Sequence, residues 1–232
     1  MGIVNELTSE VAGILRTKWE TRDGRIVPEA DSVTLGNDAV KIDGTVLYAD
    51  LAESTELVKN QAPSFAAEVY KCYLHCASKI IRRYNGVITA FDGDRVMAVF
   101  IGARKNTNAA RTALAINHAV TKIINPQIEK QRPGKNYAIR QAVGIDTSPL
   151  FVAKTGIRNS NDLVWVGRAA NYAAKICSLR AGQFATWITA DVYNRLQDSL
   201  KVANDGRSMW QLRTWTAQGT KVYCSSWYWS AN

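Results

Sequence analysis

The chain has 232 residues, 47% hydrophobic and 21% charged, which is the composition of a globular protein with one sizeable core or two small ones. That excludes a disordered, collagen-like or disulfide-scaffold protein, and no apolar run approaches the roughly 18 residues needed to cross a bilayer. A net charge of +9 favours polyanionic partners such as nucleic acid, an anionic membrane or a nucleotide phosphate tail. The N-terminus carries Glu6 and Glu10 early and lacks the charged-then-apolar pattern of a secretory signal. Cys72, Cys76, Cys177 and Cys224 form no C-x-x-C pair. Reduced thiols and the missing signal pattern predict a cytoplasmic protein. Cys72 and Cys76, one helical turn apart, read as core-facing thiols.

Ile3, Leu7, Val11, Ile14 and Trp19 recur at near-helical spacing, which predicts an amphipathic helix over 3–20. Residues 21–43 are turn-rich and read as a loop or short hairpins. The core then opens with an apolar strand over 44–50 that ends in Asp50, followed by helices over 53–60 and 63–84, the second with Pro63 in its first turn. Two apolar runs, 86–91 and 95–101, flank Asp92-Gly93-Asp94, a hairpin signal. A helix over 106–125, a strand over 136–147, a loop over 148–163 and a helix over 166–180 closed by Gly182 come next. A short strand, a short helix near 190–197 and strands at 208–216 and 220–228 finish the chain. This order predicts an α+β (mixed α/β) fold close to the ferredoxin-like split βαβ plan, with a largely antiparallel sheet flanked by helices. Residues 1–41 read as an N-terminal helix and extension, and 42–232 as one domain.

Three features could carry chemistry. Asp50 ends a strand and Asp94 sits in a tight turn before the neighbouring strand. Two carboxylates at the tips of adjacent strands can converge on a hard cation such as Mg²⁺ or Mn²⁺. Read singly, Asp50 is a helix N-cap and Asp94 a solvated turn residue. The third feature is Asn171 and Lys175, four apart among alanines on one helix face. Neither a P-loop nor a G-x-G-x-x-G motif is present, but the helix start at Ser54 and Thr55 offers free backbone N–H groups to a phosphate.

These segments resemble class III nucleotidyl cyclases. VLYADLAEST resembles their first metal motif, GVITAFDGDRVMAVF the second, QAVGIDTSPLFVAKTG their Gly-Ile strand and loop, and VGRAANYAAKICSLRAG the Asn-and-Arg helix, in the family's order from residue 44 to about 225. The resemblance implies two divalent ions per site, Mn²⁺ or Mg²⁺, held by Asp50, Asp94 and the backbone carbonyl of Leu51. It also implies a homodimer with composite sites, in which one subunit's helix supplies Asn171 and the residue at the family's arginine position. That residue is Lys175, a departure that keeps the charge but loses the planar fork. Arg95, Arg168, Lys175, Arg213 and Lys221 are candidate cations for a triphosphate, with Arg168 on the same helix as Asn171.

The family's purine-reading positions fall on Ala90 and Val164, both apolar, and Tyr48 stands where the family usually has Phe. A site without those donors and acceptors is poorly built to select a purine, and the phenol narrows the pocket. These departures resemble the pyrimidine cyclases of the bacterial Pycsar antiphage system. That resemblance implies a uridylate cyclase making cyclic UMP from UTP for a separate cyclic-nucleotide effector, with no nucleic-acid or membrane partner. The alternatives are a cytidylate cyclase, a purine (adenylate) cyclase, or, in a different class, a basic nucleic-acid-binding module. The last lacks the aromatic sheet motif of RNA-recognition domains.

Overall fold

The computed structural model describes residues 2–179 and 182–230. The elements run α1 (Ile3–Arg16), β1 (Glu20–Asp23), β2 (Asp38–Ala52), α2 (Ser54–Asn60), α3 (Pro63–Arg83), β3 (Val87–Asp92) and β4 (Arg95–Phe100). They continue with α4 (Lys105–Ala119), a π-helical turn (Val120–Ile124), α5 (Asn125–Gln131), β5 (Arg140–Ile157), β6 (Ser160–Val166) and α6 (Arg168–Cys177). The chain closes with β7 (Thr186–Thr189), α7 (Ala190–Asn194), β8 (Gln211–Trp215) and β9 (Thr220–Ser225). Among the described residues one sheet has the order β3-β4-β2-β5-β7-β9-β8, with β1 added to β2 and β6 to β5. Only the β1–β2 and β5–β7 pairs are parallel among these. The first four core strands lie in the ferredoxin-like arrangement, with the last of them, β5, beside the first, β2.

Strand alternation divides the core. Leu47, Ala49 and Leu51 of β2 join Val96, Ala98 and Phe100 of β4 and Val143 and Ile145 of β5 under α3 and α4. Val40, Ile42 and Val46 of β2 join Met97, Val99, Leu150 and Val152 on the opposite face, covered by Ala169, Ala170 and Ala173 of α6. The alanines let α6 lie close to the sheet. Gly144, the β5 partner of Tyr48, is where the approach is tightest: a Cβ there would stand 2.1 Å from the Ala173 carbonyl oxygen and 2.5 Å from the Cys177 nitrogen.

Several expectations need correction. The strand expected at 44–50 begins at Asp38, because Asp43-Gly44 continues the β2 ladder instead of turning. The boundary expected at 42 therefore falls inside β2, and Val27 and Val33 pack into the α6-side cluster. The loop expected at 148–163 is a long hairpin: β5 runs through Pro149, which pairs with Asp43, and turns at Arg158-Asn159, where Asn159 has φ 67°. The helix expected to end at 125 continues to Gln131, since the π turn resets the backbone before Pro126, which then sits in the first turn of α5. Cys72 is exposed, because Phe65, Val69, Tyr73, Ala77 and Ile80 occupy the core side of α3, whereas Cys76 is half-buried and packs against the core as expected. No residue of α1 is buried. The expected end of the α6 helix at residue 180 lies outside the described residues. Among the described residues no helix is long and apolar enough to cross a membrane.

Gly144→Ala forces α6 away from β5, or strains both. It is expected to lower stability by about 1–3 kcal/mol, the usual cost of overpacking, read as a fall in Tm in a thermal melt.

Candidate active site

The site grows from the end of β2. Tyr48 and Asp50 are two residues apart and project on the α6 side, while Leu51 between Asp50 and Ala52 is buried on the other. The strand ends at Ala52, and Glu53, with φ 62°, turns the backbone left-handed and starts α2 at Ser54, with Thr55 next. That conformation is uncommon for a residue with a side chain. Glu53 also pairs with Arg140, which stands opposite Ala52 on β5.

The β3–β4 hairpin brings the second carboxylate alongside. Asp50 is the ladder partner of Arg95, and Asp94 precedes Arg95 in the turn, where Gly93 takes φ 59°. Asp94 is half-buried, and its Oδ2 atom is shielded from solvent with no hydrogen-bond partner among the described residues. A shielded carboxylate oxygen without a donor is costly unless a cation meets it. This donor set, an orphaned carboxylate oxygen with a second carboxylate on the neighbouring strand, fits a hard divalent ion.

Arg95 adds a positive charge. Its Nη2 atom donates to Asp92 Oδ2 at 2.7 Å, and its guanidinium carbon lies 5.5 Å from the centroid of the Tyr48 ring. The Asp92 bond, with Asp50 nearby, holds the guanidinium above its ordinary pKa despite partial burial. Burial pushes the Tyr48 phenol up, against the opposing pull of Arg95, so the hydroxyl stays protonated at neutral pH. Tyr48 and Ala90 both pair with Met97, which places all three in one row across β2, β4 and β3.

The remaining candidates scatter. Val164 on β6 is 37% exposed, whereas its neighbours Leu163 and Trp165 pack into the cluster that includes Tyr48 and Ala90. Asn171 and Lys175 are exposed on the outer side of α6 and have no hydrogen bond to another side chain among the described residues. Arg168 is engaged instead: its guanidinium donates to Asp146 (Nε–Oδ2 3.0 Å), to the Thr147 carbonyl (2.8 Å) and to Asp191. Asp146 is fully buried and also accepts from Thr189. Arg168 thus ties α6 to β5 and α7. Sequence reasoning missed Trp165 and the Glu53–Arg140 pair. Only the strand alternation of 160–166 could have found the first, and nothing local signals the second.

No protein-family model matches the chain. Among solved structures it is similar to the adenylyl cyclase CyaB from P. aeruginosa, with TM-score 0.69 and 21% identity over 81% of this chain and 95% of that one. It is likewise similar to the guanylyl cyclase Cya2, with TM-score 0.68 and 17% identity over 82% and 94%. The fold is that of the class III nucleotidyl cyclases.

Whole-chain relatives narrow this. The chain is 52% identical to a uridylate cyclase of Xanthomonas perforans over 231 residues, 99% of each chain. It is 49% identical to one of Burkholderia cepacia over 232 residues, 99% of this chain and 100% of that one. A uridylate cyclase of Rhodovulum sp. is 40% identical over 235 residues, 99% and 98% of the two chains. The chain belongs to the uridylate cyclase family.

Asp146→Asn removes the buried charge on β5 that Arg168 engages. Stability is expected to fall by about 1–3 kcal/mol, the scale of hydrogen bonds to a charged group, measured by urea unfolding.

Proposed function

We propose that this protein converts UTP to 3′,5′-cyclic UMP and pyrophosphate. The observation that carries the site assignment is the shielded Asp94 oxygen, without a hydrogen-bond partner among the described residues, next to the Asp50–Arg95 ladder pair. The choice of UTP rests on the whole-chain similarity to uridylate cyclases and on the apolar Ala90 and Val164 at the positions where relatives that use purines carry polar side chains.

In the reaction the ribose 3′-oxygen attacks the α-phosphorus. The bond to the bridging oxygen of the β-phosphate breaks, pyrophosphate leaves with that electron pair, and the 3′-hydroxyl proton passes to solvent. Asp50, Asp94 and the Leu51 carbonyl would hold divalent ions, Mg²⁺ or Mn²⁺. Bound there, such ions supply Lewis acidity toward the 3′-hydroxyl and neutralise the triphosphate. The backbone N–H groups at Ser54 and Thr55 face the phosphate tail at the start of α2. Tyr48 packs its ring beside the base and keeps a neutral hydroxyl there.

Asn171 and Lys175 act from a second subunit. Their exposure on α6 leaves them available to a homodimer partner, where the Asn171 carboxamide and the Lys175 ammonium meet the charge that develops on the α-phosphate. The catalytic unit takes in the whole of β2 from Asp38, and the residues ahead of it form its extension. The product serves as a cytoplasmic signal for a separate cyclic-nucleotide effector in antiphage defence, a role that rests on the sequence resemblance alone.

Purified protein incubated with Mn²⁺ and each of the four labelled nucleoside triphosphates is expected to release cyclic UMP from UTP. Cyclic AMP from ATP as the main product would contradict the reading. Asp50→Ala and Asp94→Ala are each expected to remove turnover with the thermal melt little changed, and Asn171→Ala to lower kcat by ~10²–10³. Mixing Asp50→Ala with Asn171→Ala chains is expected to restore part of the activity, because each mixed dimer keeps one intact composite site. No recovery from the mixture would speak against sites shared between subunits.

A further inference from the structure

We propose that Arg95 is the residue that selects uracil over cytosine, an inference that rests on the cyclase reading above and deepens it. Sequence alone offers Arg95 as one of five cations for a triphosphate. The structure puts it elsewhere in the site. Its guanidinium is drawn back along β2 over the Tyr48 ring, 5.5 Å from the centroid, while the turn at Glu53–Ser54 lies ahead of Asp50 in the opposite direction along the strand. Arg95 therefore belongs with the ring that packs at the base, not with the segment that opens toward the phosphates.

The guanidinium is also held in place. Asp92 Oδ2 accepts from Nη2 at 2.7 Å on one side and the aromatic face supports it on another. A free arginine would lose rotamer freedom on meeting a ligand. Here two contacts have already ordered it. The side chain is still 33% exposed, so N–H groups not used by Asp92 remain open to an incoming ring.

The donor inventory then decides the base. A guanidinium carries five N–H donors and no acceptor. Uracil presents a carbonyl oxygen at position 4, whereas cytosine presents an amino group there. Facing Arg95, uracil's O4 gains a charge-assisted hydrogen bond, and cytosine's amino group meets N–H against N–H. The row beside Tyr48 gives cytosine no compensation, since Met97 and Ala90 offer no side-chain oxygen to accept from the amino group. A site that leaves a buried polar edge unpaired discriminates more strongly than one that merely lacks room.

The test compares kcat/KM for UTP and CTP in the full chain with Mn²⁺, for the wild type, Arg95→Gln and Arg95→Lys. Arg95→Gln supplies both a donor and an acceptor, and is expected to lower the UTP:CTP ratio by roughly tenfold or more, chiefly through UTP. Arg95→Lys keeps the charge without the fork and is expected to fall between. An unchanged ratio in both variants overturns the proposal. An equal loss for both nucleotides also overturns it, because Arg95 would then serve only the charge they share. The same ratio is read from calorimetric Kd values for 3′-deoxy-UTP and 3′-deoxy-CTP, which lack the attacking hydroxyl. A wild type that forms no cyclic product therefore sinks the cyclase reading, while the Kd ratio still decides the role of Arg95.

Discussion

The site depends on one ladder. β2 pairs with β5 without a break from Ala39 against Ala153 to Ala52 against Arg140. Because side chains alternate along a strand, this register fixes which residues of 38–52 face α6 and which face α3 and α4. Tyr48 and Asp50 share the α6 side and Leu51 goes into the helical core. A slip of one residue would bury Asp50 among Val96 and Val143 and expose Leu51. Neither is affordable, so the hydrophobic pattern that folds the sheet also aims the carboxylate.

The β3–β4 hairpin completes the arrangement with opposing charges in close quarters. Asp50, Asp92 and Asp94 bring three carboxylates to one sheet end, with Arg95 among them. Arg95 engages Asp92, and its field reaches Asp50. Asp94 keeps an oxygen shielded and without a hydrogen-bond partner among the described residues, which costs about 1–3 kcal/mol or more for a charged group. A fold selected only for stability would place a donor there. The turn instead presents an oxygen ready for a cation, while the neighbouring arginine stays fixed against an aromatic ring. One hairpin thus carries both the carboxylate and the arginine of the proposed site.

Much of this was legible in the sequence for identifiable reasons. Strong apolar runs broken by Asp92-Gly93 marked the hairpin, and Pro63 marked the start of α3. What misled were local breakers overridden by long-range pairing. Asp43-Gly44 and Pro149 each signal a turn alone, yet they face one another within the β2–β5 ladder. Arg168 could not be told from Asn171 and Lys175 by spacing. Its partner Asp146 lies 22 residues away on another strand, so its anchoring role emerges only from the packing. The left-handed Glu53 was invisible too, since nothing in Ala-Glu-Ser separates it from an ordinary helix start.

The central claim is that Asp94 and Asp50 together bind a divalent cation. Its most direct test is a calorimetric titration of Mn²⁺ into the protein saturated with 3′-deoxy-UTP, for the wild type and for Asp94→Asn. Saturable Mn²⁺ binding that weakens at least several-fold in Asp94→Asn, with an unchanged thermal melt, is the predicted result. Equal Mn²⁺ affinity in the two proteins would contradict it.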